Sequence, residues 1–132
     1  MSANLAFAET LPPQCPPADA EPLSKAVLIR LAKEPKPKPE SFASHAARGL
    51  PIRGDVSSCS HASCSLFVHD ETGDQLNAMR RLPRFKSFKH AFLLNVGPSA
   101  GVAVVNSTTK HVDLWMFKGF DPVSAVISVQ AM

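Results

Sequence analysis

Hydrophobic and polar positions alternate in short segments along the second half of the chain, and turn residues separate the segments. The segments expected to be strands are 64–69, 90–96, 102–106, 111–117 and 123–130. Turn signals at intervals of roughly 8–12 residues are typical of an antiparallel meander rather than of parallel strands joined by helices. The pattern predicts a small α+β domain, with one short helix on a mostly antiparallel sheet of four or five strands.

The one expected helix covers 74–82 and follows a turn at 70–73. Leu76, Met79 and Leu82 are spaced three residues apart, which gives the helix a narrow apolar stripe. Thr72 with Gln75 three residues later fits a capping box at the helix start. A proline at position 83 lacks the N–H that a further helical turn requires, so the helix is expected to end before it.

Two of the expected strands differ in the faces they present. Segment 123–130 places Ala125, Ile127 and Val129 on one face, which is therefore predicted to be buried. Segment 111–117 carries apolar residues on both faces, with Trp115 on the face opposite Val112. That strand is expected to be central and covered twice, or to form part of a contact surface.

The first 49 residues are expected to be a proline-rich region, disordered or loosely docked, ahead of a compact domain at 50–132. Eight of the twelve prolines lie within 1–40, where they exclude helix interiors and central strands. An apolar segment at 22–33 interrupts the prolines. Its core fits either a helix bounded by prolines or a strand with alternate apolar residues on one face, and we favour the helix.

Charge is distributed unevenly along the chain. The formal net charge is +3, but 75–112 contains six Lys or Arg residues and no acid, so the rest of the chain carries −3. Apolar residues make up 45% of the chain, which argues against complete disorder. A net charge this small does not by itself indicate a polyanionic partner.

The basic run within 80–90 combines cations with aromatic rings. Lys and Arg bind phosphates, and flat apolar rings stack on unpaired bases. Single-stranded nucleic acid, RNA above all, is therefore one candidate ligand. The residues that would carry this function are Arg80, Arg81, Arg84, Phe85, Lys86, Phe88 and Lys89. In the other interpretation, which we favour for this segment, the phenylalanines at 85, 88 and 92 are core residues beneath a solvated basic loop.

The favoured function is protein binding without catalysis, through a protein partner or self-association. Large apolar side chains at a contact surface bury well against a partner. The candidate contact residues are Trp115, Phe117 and Phe120, together with Val27, Leu28 and Leu31 of the N-terminal apolar segment.

Four Cys and His residues, Cys59, His61, Cys64 and His69, have the ligand types of a zinc site but not its usual spacing. If 64–69 is one strand, Cys64 and His69 point to opposite faces, which opposes a shared metal. We therefore expect no cofactor and keep a zinc or thiol protein as a further alternative. With three cysteines, a Cys59–Cys64 bridge stays open, although a reduced intracellular setting is simpler.

The remaining motifs favour neither an enzyme nor a membrane protein. The Gly-x-Ser-x-Gly pattern at 97–101 precedes a strand-like run rather than a helix, so we interpret it as a hairpin turn. No basic start with an apolar secretory stretch and no membrane-length apolar run occurs. We expect a soluble cytoplasmic or otherwise intracellular protein that uses no small-molecule substrate.

Overall fold

The computed structural model describes residues 6–132, and these form one open antiparallel sheet with short helices. The strands are β1 (Glu21–Pro22), β2 (Ala26–Ala32), β3 (Cys64–Val68), β4 (His90–Val96), β5 (Gly101–Val105), β6 (His111–Met116) and β7 (Val126–Ala131). The helices are α1 (Ser58–His61), α2 (Asp74–Arg80) and α3 (Pro122–Ala125). Short 3₁₀ turns occur at Pro39–Phe42, Pro83–Phe85 and Pro98–Ala100. The expected antiparallel sheet accompanied by helix is confirmed, but one helix and four or five strands understate it.

The apolar segment of the N-terminal region is a central strand, and the helix favoured for it is wrong. β2 lies between β3 and β4 and pairs with β4 along its whole length, from Ala26 opposite Val96 to Ala32 opposite His90. An apolar run with both faces covered is stable in the middle of a sheet, where ladder hydrogen bonds replace those of a helix. The sheet therefore extends across the expected boundary at residue 49.

Each face of the sheet carries its own hydrophobic core. One core includes Leu28, Leu66 and Phe92, and the chain around the turn at Pro39–Phe42 and α3 cover it. The other core includes Ile29 and lies beneath α2. Alternation along β2 thus supplies both cores from one strand.

The strand order is β1-β5-β6-β3-β2-β4-β7, which is antiparallel throughout but is not a simple meander. β5 and β6 form a hairpin. In the turn between them, Oδ1 of Asn106 accepts hydrogen bonds from the backbone N–H groups of Thr108 and Thr109. The Gly-x-Ser-x-Gly segment is a turn, as predicted, but it joins β4 to β5, which are not paired. The hairpin assigned to it is therefore wrong.

The start of α2 differs from the predicted capping box. Gly73 occupies the N-cap position with a φ of 78°, a conformation that glycine adopts readily. The cap is completed from further upstream, where Oδ1 of Asp70 accepts the backbone N–H of Gln75 at 3.0 Å. Thr72 Oγ1 donates to Asp70 Oδ2 and accepts the backbone N–H of Asp74, so it supports the cap indirectly.

The last strand is shorter and more exposed than expected. α3 replaces its first residues, because Asp121 Oδ1 accepts the backbone N–H groups of Val123 and Ser124 and starts a helical turn. Ile127 and Val129 are 55% and 42% exposed, so the buried face predicted for them is wrong. β7 is an edge strand and pairs only with β4, which leaves this face partly uncovered.

The proline-rich region is docked in part. The backbone N–H of Ala8 donates to the carbonyl of Met116 beside an isolated bridge from Phe7 to Phe117, and Cys15 forms a disulfide with Cys59. The Cys59–Cys64 bridge left open by the sequence is therefore not formed. Residues 33–36, at the start of the second proline run, are exposed and without regular structure, as expected for a solvated spacer.

Candidate functional site

The site begins where two central strands separate. β2 and β3 pair only at Leu28 opposite Val68 and Ile29 opposite Phe67. Beyond these pairs, the guanidinium group of Arg30 occupies the gap, and its Nη1 donates to the backbone carbonyl of Ser65 at 2.8 Å. A side chain thus replaces the ladder hydrogen bond that the separated strands no longer make.

Arg30 is anchored by backbone carbonyls rather than by acids. Its Nε donates to the carbonyl of Ser41 at 2.9 Å and its Nη2 to that of Ala43 at 3.1 Å. The side chain is only 8% exposed, and no Asp or Glu among residues 6–132 forms an ion pair with it. A cation that lacks a carboxylate partner makes the adjacent surface electropositive.

An open cavity of about 550 Å³ lies beside this gap, and we call it the aromatic–cationic groove. Its aromatic members are Phe67, Phe85 and Phe88, and its cations are Arg30, Lys33, Lys38 and Arg48. Its other lining residues are Leu31, Ala32, Glu34, Glu40, Ser41, His45 and Ser65. Four cations against two acids leave the groove positively charged.

The three phenylalanine rings form one continuous aromatic surface. The centroids of Phe67 and Phe85 are 5.6 Å apart with an edge-on geometry, and those of Phe85 and Phe88 are 6.5 Å apart. All three are half-buried and pack against the core beneath α2. Their inner edges stabilise the fold while the remainder faces the groove.

The charge in the groove affects the histidine on its rim. The pKa of His45 lies below its ordinary value, because of partial burial first and then the positive charges of Arg48 and Arg30. This histidine is exposed, and its ring centroid lies 5.9 Å from that of His61. The direction of the shift is that expected at a cationic surface.

The basic segment proposed from the sequence adjoins this groove. Arg81, Arg84, Lys86 and Lys89 are exposed, and the guanidinium carbon of Arg84 lies 4.7 Å from the centroid of the Phe85 ring. Arg80 is also exposed but donates to the carbonyl of Ala131 and to the side chain of Asn77, which fastens α2 to β7. The sequence left open whether three phenylalanines near this segment are core or surface residues. Phe92 is in the core, whereas Phe85 and Phe88 are half-buried.

Three of the six residues proposed as a protein-contact surface are buried, and the other three are half-buried. Trp115 is 2% exposed, and its Nε1 donates to the carbonyl of Cys59 at 3.0 Å. Leu28 and Leu31 are buried in the two cores. Val27, Phe117 and Phe120 are half-buried. The apolar residues on both faces of β6 therefore reflect a strand covered twice, which was one of the two expectations for it.

The four candidate zinc ligands do not converge. Cys59 is in the disulfide, and His61 lies with Nε2 2.7 Å from the carbonyl of Leu50. Cys64 is a free, buried thiol, and Nδ1 of His69 is buried without a hydrogen-bond partner. Within residues 6–132, no group of three or more His, Cys, Asp or Glu side chains could hold a metal ion.

A second cavity of about 400 Å³ lies on the opposite face and is lined mainly by apolar residues, with Glu9 and Glu40 among them. The N-terminal segment forms one wall with Phe7 and Leu11, and β6 forms another with Leu114. Glu9 belongs to the N-terminal segment. Its carboxylate accepts hydrogen bonds from the hydroxyl and the backbone N–H of Ser44, which holds this segment in place. Cys64 also lines the cavity, and burial raises the pKa of its thiol.

Sequence reasoning missed a polar cluster beside the aromatic–cationic groove. Oγ of Ser65 lies 2.6 Å from Nε2 of His111, and Nδ1 of His111 lies 3.7 Å from Oδ1 of Asp113. The hydroxyls of Ser60 and Ser63 donate to Asp113. No local spacing could have revealed the cluster, because Ser65 and His111 are 46 residues apart.

The groove itself had one signal in the sequence. Arg30 is a single charged residue inside the apolar run of β2, and such a residue needs a specific set of partners when the run is buried. The lysines at positions 33 and 38 and Arg48 had no such signal, because they lie in loops whose course depends on the fold.

Comparison with known proteins gives no relationship for this chain. No protein-family model, curated protein or solved structure matches it. Among residues 6–132, no helix has both the length and the apolar character needed to cross a bilayer.

Proposed function

We propose that the protein binds single-stranded RNA in the aromatic–cationic groove. Single-stranded nucleic acid is bound by aromatic rings on which bases stack, with cations alongside for the phosphates. The groove offers Phe67, Phe85 and Phe88 as one surface, with Arg48 and the lysines at 33 and 38 around it. Rings for base stacking and cations for phosphates therefore line the same cavity.

The observation that carries this proposal is the position of Arg84 over Phe85. Its guanidinium carbon is 4.7 Å from the ring centroid, and the ring belongs to the groove. The exposed basic segment and the cations of the groove therefore flank the same aromatic surface. A strand bound along the aromatic surface can place phosphates against Arg84 and against the cations that line the groove.

The test is a fluorescence anisotropy titration of a labelled oligouridylate of about ten nucleotides. With about four phosphate contacts, the affinity is expected to fall about 50-fold between roughly 50 and 200 mM salt. Absence of binding at the lower salt concentration would overturn the proposal.

Two variants locate the binding surface. Phe88→Leu keeps an apolar side chain but removes the ring, and should weaken binding about tenfold through lost stacking. Arg48→Glu should weaken binding and reduce the salt dependence. Lys25→Glu is the matched control, because Lys25 is exposed just before the start of β2 and does not line the groove. The variant should bind as the wild type does.

Self-association through β7 is a second candidate function. β7 is an edge strand whose sequence, VISVQA, contains no charged residue or proline, which are common devices against edge-to-edge pairing. Ile127 and Val129 are exposed on it. A second copy pairing antiparallel with this edge would bury these side chains in both copies.

Light scattering at rising protein concentration tests this candidate. A mass approaching twice 14.2 kDa that returns to the monomer value in Ile127→Lys would support pairing through β7. Val105→Lys provides the control, because Val105 is equally exposed but lies on β5, away from this edge. A monomer at all concentrations excludes this candidate and leaves RNA binding unaffected.

A further inference from the structure

The polar cluster beside the groove has the arrangement of a nucleophile, a base and a carboxylate. β3 and β6 are antiparallel neighbours, with Ser65 opposite Asp113 and Phe67 opposite His111. Directly opposite residues lie on the same face, and diagonal neighbours are within reach of long side chains. Ser65 and His111 form such a diagonal pair, which accounts for the 2.6 Å between Oγ and Nε2.

The side chains around His111 orient its ring. The ring contacts Phe67 edge-on, with 5.2 Å between the centroids. The Asp113 carboxylate faces Nδ1 at 3.7 Å and is itself held by the hydroxyls of Ser60 and Ser63. A negative charge on this side favours a proton on Nδ1, which leaves Nε2 free to accept the hydrogen bond from Ser65.

The cluster is accessible from solvent. The side chains of His111 and Asp113 are 34% and 19% exposed, and Ser65 lines the groove. Arg30 is beside Ser65, since its Nη1 contacts the Ser65 carbonyl, and its three hydrogen bonds use three of the five guanidinium N–H groups. A cation in this position can stabilise an oxyanion that forms near Ser65.

We propose that Ser65, His111 and Asp113 form a nucleophilic site that hydrolyses carboxylic esters. Oγ of Ser65 attacks the ester carbonyl carbon while its proton passes to Nε2 of His111. The bond to the leaving alcohol then breaks, and that alcohol takes the proton from His111. Water attacks the acyl-serine, transfers a proton to His111, and releases the acid when Ser65 recovers its proton. The inference is independent of RNA binding.

The groove defines the class of ester. Its phenylalanine rings suit an apolar or aromatic group, and its cations suit a negative charge. The preferred substrate is therefore an aryl ester that carries a carboxylate on its acyl group. An uncharged aryl ester of similar size should be a poorer substrate, through a higher KM.

A fluorophosphonate probe tests the nucleophile directly, with mass spectrometry to locate the adduct. Attack by Ser65 forms a phosphorus–oxygen bond, releases fluoride and transfers the hydroxyl proton to His111. Labelling is expected at Ser65 and should be lost in Ser65→Ala and in His111→Gln. Ser99→Ala is the matched control, because Ser99 is the exposed serine of the Gly-x-Ser-x-Gly turn. It should label as the wild type does.

Steady-state hydrolysis of para-nitrophenyl hemisuccinate, compared with the uncharged para-nitrophenyl pentanoate of similar size, tests turnover. Ser65→Ala should lower kcat at least about 100-fold. Asp113 acts through His111 as a positioning residue. Asp113→Asn should therefore lower kcat with little change in KM, and Asp113→Glu should restore part of the rate. The fluorescence of the single tryptophan, Trp115, reports whether each variant remains folded.

Several outcomes would overturn the proposal. One is the absence of an adduct on the folded protein, or an adduct confined to lysines or Ser99. Another is ester hydrolysis by Ser65→Ala at the wild-type rate, which would assign turnover to other side chains. A folded Asp113→Asn with unchanged kcat would remove Asp113 from the site. Loss of RNA binding alone contradicts none of these results, so the two proposals fail separately.

Discussion

Arg30 donates a hydrogen bond from Nη1 to the backbone carbonyl of Ser65 at 2.8 Å, across the line where β2 and β3 separate. The contact has two consequences. It satisfies a carbonyl that the sheet ladder leaves unpaired, and it places a cation next to the residue proposed as nucleophile. Stability and chemistry therefore depend on the same side chain.

Replacing Arg30 should destabilise the fold. Arg30→Met keeps an unbranched, shorter side chain and removes three hydrogen bonds to partly buried carbonyls. The free energy of unfolding should fall by about 3 kcal/mol, since a hydrogen bond contributes about 1 kcal/mol net. Urea denaturation measures the change. Arg48→Met, at an exposed cation of the same groove, should change it by less than about 0.5 kcal/mol. Equal effects would contradict an anchoring role for Arg30.

The stability of the protein should decrease in acid partly through His45. The pKa of this histidine is lowered in the folded state by burial, Arg48 and Arg30, so the unfolded chain binds its proton more readily. Stability should therefore fall as the pH drops below about 6.5, the ordinary value for histidine. In His45→Gln this part of the decline should be absent, as thermal unfolding between pH 7.5 and about 5.5 would show.

Bound RNA should oppose the lowering of the His45 pKa. A phosphate near His45 favours the protonated ring, so the affinity for oligouridylate should rise as the pH falls. His45→Gln should abolish that rise. An affinity that is independent of pH in the wild type would place the phosphates elsewhere along the groove.

Asp70 should stabilise α2 at neutral pH. Its pKa is lowered by the hydrogen bond from the Thr72 hydroxyl first and then by the backbone N–H of Gln75. A lowered pKa means that the stabilisation is present above the unfolded value, about 3.9, and is lost as the pH falls through the folded value. Asp70→Asn should lower the unfolding temperature at pH 7, and the difference should shrink below pH about 4. Glu71→Gln, at an exposed neighbouring carboxylate, should show no such dependence.

The Cys15–Cys59 disulfide should stabilise the fold and order the chain near Trp115. Closure of a loop with a separation of 44 residues gives up to about 4 kcal/mol by the chain-entropy estimate. Cys15→Ser should lower the free energy of unfolding by part of this amount. It should also change the fluorescence of Trp115, whose indole donates to the Cys59 carbonyl.

Thiol alkylation without reductant checks the pairing and the compartment. The folded protein should resist alkylation, because Cys64 is buried and its thiol pKa is raised, and the unfolded protein should take one label. Three labels on freshly isolated, unfolded protein would show that the bridge is absent where the protein resides. That result would favour the intracellular setting predicted from the sequence, because disulfides persist mainly in oxidising compartments.

The sequence predicted the elements whose signals are local. The apolar runs in 90–96 and 111–117 and the apolar stripe around Leu76 correspond to β4, β6 and α2. The helix predicted for the segment that forms β2 was wrong, because the same apolar residues fit a helix and a central strand equally well. Only pairing with β3 and β4, which lie far along the chain, decides between them.

Only the exposed basic segment beside the candidate site was apparent from the sequence. The exposed basic residues from Arg80 to Lys89 followed from composition, because an acid-free run is solvated wherever the chain goes. The groove beside them was not predicted, since β2, the loop around Arg48 and β3 meet only in three dimensions. Burial also removed Trp115 from the contact surface, which no local pattern distinguishes from an exposed aromatic residue.

By itself, the sequence determined the α+β class, the basic segment and the turns, because these depend on neighbours within a few residues. Tertiary structure alone decided the central position of β2, the Cys15–Cys59 bridge and the approach of Ser65 to His111. These depend on strand order and register, which are set by burying two apolar faces at once. The separation of β2 from β3, which Arg30 bridges, brings Arg30 and Ser65 together in the lining of the aromatic–cationic groove.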